Sequence, residues 1–132
     1  MPGIAITDHG NMYGVKEFFK VAKDFPEIKP IIGCEVYVTQ GYDHNLKDKD
    51  HKGYYHLILL AKNENGYRNL LKIVSEGHIN GMYYKPRVSH KIIEKYHEDL
   101  ICCSACLAGE IPRKIVAGDM KGAEESINWF KG

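Results

Sequence analysis

The sequence lacks the features that mark several classes of protein. No apolar run approaches the roughly 20 residues that a membrane-spanning helix requires. Charge of neither sign dominates, because 18 Lys and Arg residues face 17 Asp and Glu residues, for a net charge of +1. This balance excludes a strongly basic nucleic-acid-binding arm, though not a local basic patch. The 132 residues, 44% of them hydrophobic and 27% charged, indicate one globular domain with no membrane partner.

Cysteine is scarce and unevenly placed, which argues against a disulfide framework. Three of the four cysteines, Cys102, Cys103 and Cys106, lie within five residues of one another, and Cys34 stands apart. We therefore expect a reducing, cytoplasmic environment with free thiols or one thiolate ligand. The spacing Cys103-x-x-Cys106 also permits a redox role, although nothing else in the sequence supports one.

Histidine is in mild excess, with seven residues, but most of them have an ordinary explanation. Five are predicted to be surface residues: His44, His51, His78, His90 and His97.

Hydrophobic spacing predicts alternating strands and helices. Strands are predicted at 3–7, 30–38, 54–61 and 100–106, and helices at 14–25, after 63–66, near 92–96 and at 118–131. Residues 39–53 are predicted to form an exposed polar loop, and residues 77–89 to be irregular. This alternation is typical of an α/β fold with mostly parallel strands.

Polar residues recur where the predicted strands end or begin. Asp8 and His9 end the first strand, Glu35 interrupts the second, His56 lies early in the third and Cys106 ends the fourth. Functional groups of parallel α/β folds cluster at one edge of the sheet, and these residue types bind Zn²⁺, Mn²⁺ or iron. The spacing alone is not specific, because neither an HExxH motif nor a pair of CxxC motifs occurs.

Each of these residues also has a structural explanation. Asp8 suits a turn or a helix cap, and Glu35 suits the outer face of an edge strand. His56 suits a core histidine bonded to a carbonyl, and Cys106 suits a small buried hydrophobe.

Five ordered segments resemble the PHP (polymerase and histidinol phosphatase) domain family, in the form found at the N-terminus of bacterial DNA polymerase III alpha subunits. The segments are residues 4–14, 29–38, 56–70, 84–87 and 104–112. The resemblance implies a distorted (β/α)7 barrel with a divalent metal centre, of zinc or manganese, at the strand ends. It assigns metal binding to His9, Glu35, His56 and Cys106, and a catalytic role to Asp8 and Glu35.

The resemblance also departs from the family pattern at both ends. The family begins with a strand carrying His-x-His and ends with Asp-x-His, and neither pair occurs here. We therefore expect residues 1–132 to be the central part of a PHP domain, without its first strand and its C-terminal part. We expect the 132 residues alone to have little hydrolytic activity, and to self-associate through a bared strand edge.

Three functions remain open. The first is a metal-dependent phosphoesterase or 3′–5′ exonuclease within a replicative polymerase. The second is a structural module that holds the proofreading subunit of the same polymerase, and the third is a free-standing PHP phosphatase. A polymerase parent implies DNA, the proofreading exonuclease and the sliding clamp as partners, and Mg²⁺ at a polymerase site outside these residues.

A basic and aromatic segment is the candidate phosphate contact. Lys85 and Arg87 are predicted to contact phosphate, with Tyr83 and Tyr84 as stacking partners for a base. The alternative is an ordinary surface loop.

Overall fold

The computed structural model describes residues 1–132 as six strands interleaved with five helices. The strands are β1 (Gly3–Ile6), β2 (Lys29–Thr39), β3 (Tyr54–Ala61), β4 (Met82–Tyr83), β5 (Lys85–Val88) and β6 (Leu100–Cys103). The helices are α1 (Val15–Ala22), α2 (Glu64–Ile79), α3 (His90–Lys95), α4 (Glu110–Val116) and α5 (Met120–Lys131). The α/β class that the hydrophobic spacing predicted is confirmed. None of the helices combines the length and the apolar character needed to cross a membrane.

Strand β2 is the centre of an open, mixed sheet. Its neighbours follow the order β4-β5-β2-β3-β6, and β1 also pairs with β2. The parallel arrangement expected from the sequence holds for β1, β2 and β5, whereas β2–β3, β3–β6 and β4–β5 are antiparallel. The cause at β3 is the preceding connection, because residues 40–53 contain no helix that would carry the chain back for a parallel pairing.

One face of the sheet forms the hydrophobic core against α2. Cys34, Val36 and Val38 alternate along β2 and are at most 3% exposed. They share a cluster with Leu70 and Ile73 of α2, both fully buried. Burying each of these large apolar side chains contributes roughly 1.5–3 kcal/mol. Because side chains alternate across a strand, the odd-numbered residues of β2 face the other way, and that face carries the candidate site.

The segment predicted to be irregular, residues 77–89, is ordered instead. Helix α2 continues to Ile79, and a hairpin of β4 and β5 follows, with Tyr84 between them at φ 59°. Gly77 lies buried inside the helix, where a Cβ would stand 3.2 Å from the carbonyl oxygen of Pro86. The glycine therefore permits close packing of helix on strand and does not end the helix.

A buried carboxylate ties three helices together at the end of the chain. Glu110 of α4 accepts hydrogen bonds from His90 Nε2 of α3 (2.8 Å), Lys114 Nζ (2.8 Å) and Ser126 Oγ of α5 (2.7 Å). The prediction that His90 is an ordinary surface residue is therefore wrong. Burial raises the pKa of the Glu110 carboxyl, but the hydrogen bonds from its three partners outweigh burial and lower that pKa from 4.5 to about 2.

The ionised Glu110 is expected to stabilise the fold in a pH-dependent way. Its pKa is lower in the folded chain than in the unfolded chain, so the contribution is complete above about pH 4.5 and is lost as the pH falls towards 2. We expect the free energy of unfolding of Glu110→Gln to lie about 3 kcal/mol below wild type at pH 7, and this gap to narrow at pH 3. Urea denaturation across this pH range measures it. A gap that stays constant would contradict the prediction, and Glu125→Gln, at an exposed position, is the control.

Candidate metal centre

Three side chains from three separate segments converge on the sheet face opposite the core. One ligand atom from each of His9, Glu35 and His56 lies within 4.8 Å of the others. The side chain of Glu35 is 12% exposed, that of His56 is 21% exposed and that of His9 is 67% exposed. The group is therefore seated in the sheet at Glu35 and open to solvent at His9.

The register of β1 on β2 brings His9 to Glu35. Ile6 pairs with Ile32, and the same offset continues beyond the strand to an isolated parallel bridge between His9 and Glu35. The Glu35 N–H donates to the Asp8 carbonyl (3.0 Å), and the Gly10 N–H donates to the Glu35 carbonyl (2.9 Å). Directly paired residues point to the same face, so His9 Nδ1 comes within 3.5 Å of Glu35 Oε2.

The antiparallel register of β3 on β2 brings in His56. His56 pairs with Tyr37, which lies two residues beyond Glu35 on the same face of β2. Its Nδ1–H donates to Glu35 Oε1 at 2.8 Å. The ring lies parallel to that of Tyr54, with 5.9 Å between centroids, and edge-on to that of Tyr37 at 5.3 Å. These rings fix the orientation of the imidazole.

A turn after β6 brings Cys106 to His56. The backbone N–H of His56 donates to the Ala108 carbonyl (3.1 Å), and the backbone N–H of Gly109 closes the turn by donating to the Cys106 carbonyl (2.8 Å). Cys106 Sγ then lies 3.6 Å from His56 Nδ1. Cys106 is exposed and unpaired, so the alternative of a buried hydrophobe does not apply to it.

The buried thiol of the chain is Cys34, and its surroundings suppress reactivity. Its Sγ–H donates to the carbonyls of Asp8 (3.4 Å) and Asn11 (3.3 Å). Burial raises the pKa of the Cys34 thiol to about 12. Cys34 therefore stays protonated at neutral pH, and it acts in packing and in holding the segment that carries His9.

The donor set fits a single zinc-like ion. Two donor atoms bound tetrahedrally at about 2.0–2.3 Å lie about 3.3–3.8 Å apart. The separations here are 2.8 Å for His56–Glu35, 3.5 Å for His9–Glu35 and 3.6 Å for Cys106–His56. The donor atoms of His9, Glu35 and His56 lie within 4.8 Å of one another, and Cys106 Sγ lies outside that group, beside His56. Two imidazoles, a carboxylate and a thiol are ligands that zinc prefers over magnesium.

Asp8 does not join this group of four. Its Oδ2 accepts a hydrogen bond from the Gly14 N–H at 3.2 Å, which closes the turn between β1 and α1. The carboxylate takes the turn-forming role that the sequence offered as the alternative to catalysis. Asp8 thus orients the His9 segment through the backbone.

The two basic residues proposed as phosphate contacts differ in exposure in the structure. Arg87 is fully buried, so its prediction as a phosphate contact is wrong. Its guanidinium donates inward, to the Tyr42 hydroxyl and to the carbonyls of His44, Leu46, His51 and Gly81. Lys85 is exposed, with its Nζ 5.5 Å from the centroid of the Tyr37 ring that contacts His56. Lys85 therefore stands beside the metal-ligand group.

Two histidines predicted to be ordinary surface residues have specific partners. His44 is 3% exposed and lies between Ser89 Oγ (3.1 Å) and Glu76 Oε1 (2.9 Å), so its surface prediction is wrong. His78 Nε2 bonds to the Gly10 carbonyl at 2.7 Å. His78 follows Val74 by four residues, so the two lie on the same face of α2, and Val74 is half-buried. This spacing was a signal that His78 faces the protein interior. His44 lies in a charged loop and gave no such signal.

Comparison with known proteins gives one family. A profile described as "PHP domain" matches residues 1–132. The chain is 51% identical to DNA polymerase III subunit alpha of Borreliella burgdorferi and 48% identical to that of Treponema pallidum. It is 38% identical to the subunit of the same name from Deinococcus radiodurans. These matches cover 97–99% of the chain and 10–11% of each relative, so the chain spans about a tenth of their length. With the profile matching from first residue to last, the chain belongs to the PHP domain family.

Proposed function

We propose that these residues hold a divalent metal ion, zinc or manganese, in a phosphoester-hydrolysing centre. The ligands are His9, Glu35, His56 and Cys106, and the convergence of the first three within 4.8 Å is the observation that carries the proposal. A bound ion would polarise a phosphoryl oxygen and lower the pKa of a bound water towards neutrality. The Cys106 thiol must lose its proton and each imidazole must be neutral to bind metal, so binding releases protons and tightens as pH rises.

The wider setting we propose is a bacterial replicative DNA polymerase III alpha subunit, a DNA-directed DNA polymerase of the cytoplasm. The names of the relatives support this, and the family of the chain agrees with them. Residues 1–132 are then the central part of its PHP domain, and the Mg²⁺ site for polymerisation lies elsewhere in the longer protein. DNA, the proofreading exonuclease and the sliding clamp are its partners. By itself, the chain would self-associate through the outer edge of β1, which pairs only with β2.

Side chains around the centre suit a nucleic-acid phosphate. Lys85 is an exposed cation held over the Tyr37 ring, in reach of a phosphate placed beside His56. Tyr84, 81% exposed at the tip of the β4–β5 hairpin, offers a face on which a base can stack. In this arrangement Lys85 binds the phosphate and Glu35 holds the two imidazoles, while Asp8 fixes the turn that presents His9.

A structural role for the domain is a second candidate, and an apolar groove favours it. The groove has a volume of about 960 Å³ between the β1–α1 and β3–α2 regions, with Val15, Phe19, Ile31, Tyr67 and Ile101 in its lining. A surface of this kind suits packing against further protein. A free-standing phosphatase is not favoured, because the relatives are named as polymerase subunits.

Zinc is expected to protect one thiol from alkylation. With iodoacetamide and no metal, we expect Cys106 and Cys103 of the 132-residue chain to react, because both are exposed, and the buried Cys34 to stay unmodified. Added zinc should slow alkylation of Cys106 about tenfold or more, because a metal-bound thiolate is a poorer nucleophile. Cys103, on β6, should be unaffected. Peptide mass spectrometry reads each site, and equal labelling of Cys106 with and without zinc would contradict its role as a ligand.

A further inference from the structure

The segment that presents His9 is held from two sides. On one side, the Gly10 N–H donates to the Glu35 carbonyl of β2 at 2.9 Å. On the other, the Gly10 carbonyl accepts a hydrogen bond from His78 Nε2 of α2 at 2.7 Å. His78 comes from a helix whose neighbouring turns pack in the core, so it links the rigid part of the fold to the residue that follows His9.

This segment has little room to move in the direction of the sheet. Gly10 has φ +68°, and a Cβ there would stand 2.6 Å from Tyr37 Cε2 and 3.0 Å from Pro86 Cγ. The side chain of His9, in contrast, is 67% exposed, so side-chain packing fixes it only weakly. The direction of its imidazole therefore depends on the backbone on either side, and the Gly10 peptide is the part that His78 holds.

We infer that His78 is a positioning residue for the metal centre: its hydrogen bond to the Gly10 carbonyl aims His9 at Glu35. The inference rests on the proposed function, because it matters only if His9 binds an ion. The bond requires a hydrogen on Nε2, since a carbonyl can only accept. A side chain without a donor at that position leaves the Gly10 carbonyl unpaired and lets the His9 segment move away from β2.

Metal titration of four variants tests this role. His78→Leu keeps most of the volume and removes the donor, and we expect it to weaken Co²⁺ or Zn²⁺ binding by about tenfold or more, the usual effect of losing a partner that orients a ligand. His78→Asn keeps a polar side chain, but its amide is too short to reach the carbonyl, so its metal affinity should fall as much as that of His78→Leu. His78→Gln places an amide N–H near the position of Nε2 and should restore binding to within about threefold of wild type. His97→Gln is the matched control, because His97 is exposed and bonds only to the local carbonyl of Glu94.

Amide hydrogen exchange gives a readout that needs no metal. In His78→Leu, the amides of Gly10 and Glu35 should exchange faster, because they form the bonds that hold the His9 segment to β2. The amides of the β2–β3 ladder should keep their wild-type rates, whereas general destabilisation would accelerate all of them together.

The outcomes separate the inference from the proposed function. If wild type binds metal and His78→Leu and His78→Asn bind it equally well, the inference is wrong and the metal site stands. If wild type binds no metal, the proposed site fails. In that case exchange still decides whether His78 orders the Gly10 segment, and unchanged Gly10 and Glu35 rates overturn the inference.

Discussion

Replacing Glu35 with glutamine is expected to reduce the zinc affinity of the chain by about 100-fold or more. Glutamine has nearly the same shape, so the fold and the β2 register should persist. The substitution removes the negative charge that both imidazoles face, at 2.8 Å from His56 Nδ1 and 3.5 Å from His9 Nδ1. The group then has two neutral nitrogens and one thiol, with no charged oxygen to balance a divalent ion. Competition with a chromophoric chelator measures the loss.

The control for this substitution is Glu27→Gln, at an exposed position just before β2. It changes the net charge of the chain by the same amount and should leave zinc affinity unchanged. A Glu35→Gln chain that binds zinc within threefold of wild type would show that the carboxylate is not a ligand. The convergence of His9, Glu35 and His56 would then be an ordinary hydrogen-bonded cluster.

The same substitution separates hydrolysis from a structural role in a full-length alpha subunit. If the domain is a phosphoesterase, Glu35→Gln should abolish metal-dependent release of nucleotides from a mismatched 3′ end and leave nucleotide incorporation unchanged. If the domain serves only as a scaffold, neither activity should change.

The core of the fold could be predicted because its signals are local. The β-branched run of β2 and the apolar run of β3 each predict a strand within a few residues, and the spacing of Tyr67, Leu70, Leu71 and Val74 predicts α2. Glu35 was noticed for the same reason, as a single acid inside an apolar run. Each of these inferences depends on neighbours in sequence.

The rest of the site depends on how the strands pair in register, which cannot be predicted from the spacing of residues in the sequence. That His9 lies opposite Glu35 follows from the pairing of β1 with β2 across 26 residues, and that Cys106 reaches His56 follows from a turn after β6. Family resemblance supplied these ligands before the geometry did. It did not supply His78, whose role depends on a bond to the backbone 68 residues away.

Arg87 is a residue for which the local sequence predicted a ligand contact that the structure does not show. From the sequence it was a basic residue next to two tyrosines and a lysine, which is typical of a phosphate contact. Three of its partners are carbonyls in the segment 39–53, which was predicted to be an exposed polar loop. Nothing in the local sequence distinguishes an arginine that binds a ligand from one that holds a loop, since both uses need the same fork of donors.

Replacing Arg87 with methionine is expected to destabilise the fold by about 3–5 kcal/mol. Arg87 is fully buried and makes five hydrogen bonds, four of them to backbone carbonyls, and its guanidinium also lies 5.1 Å from the centroid of the Tyr83 ring. Methionine fills most of the volume but leaves those carbonyls without donors, and the bonds to Gly81 and His44 lie in a buried region. For a chain of this size the loss corresponds to a Tm lower by about 10–20 °C.

The matched control is Arg68→Met on α2, where the arginine is 69% exposed and forms an i,i+4 pair with Glu64. Exposed pairs of this kind contribute about 0.5 kcal/mol, so its Tm should stay close to wild type. Arg87→Lys keeps the charge but has no planar fork to reach several carbonyls at once, so we expect the core to fold and the loop to loosen. Trypsin should then cut at the exposed Lys47, Lys49 and Lys52 faster than in wild type. Two results would contradict this role: a free energy of unfolding of Arg87→Met within 1 kcal/mol of wild type, or trypsin cleavage of Arg87→Lys no faster than that of wild type. In either case Arg87 does not hold this loop, and its assignment as a phosphate contact must be tested again.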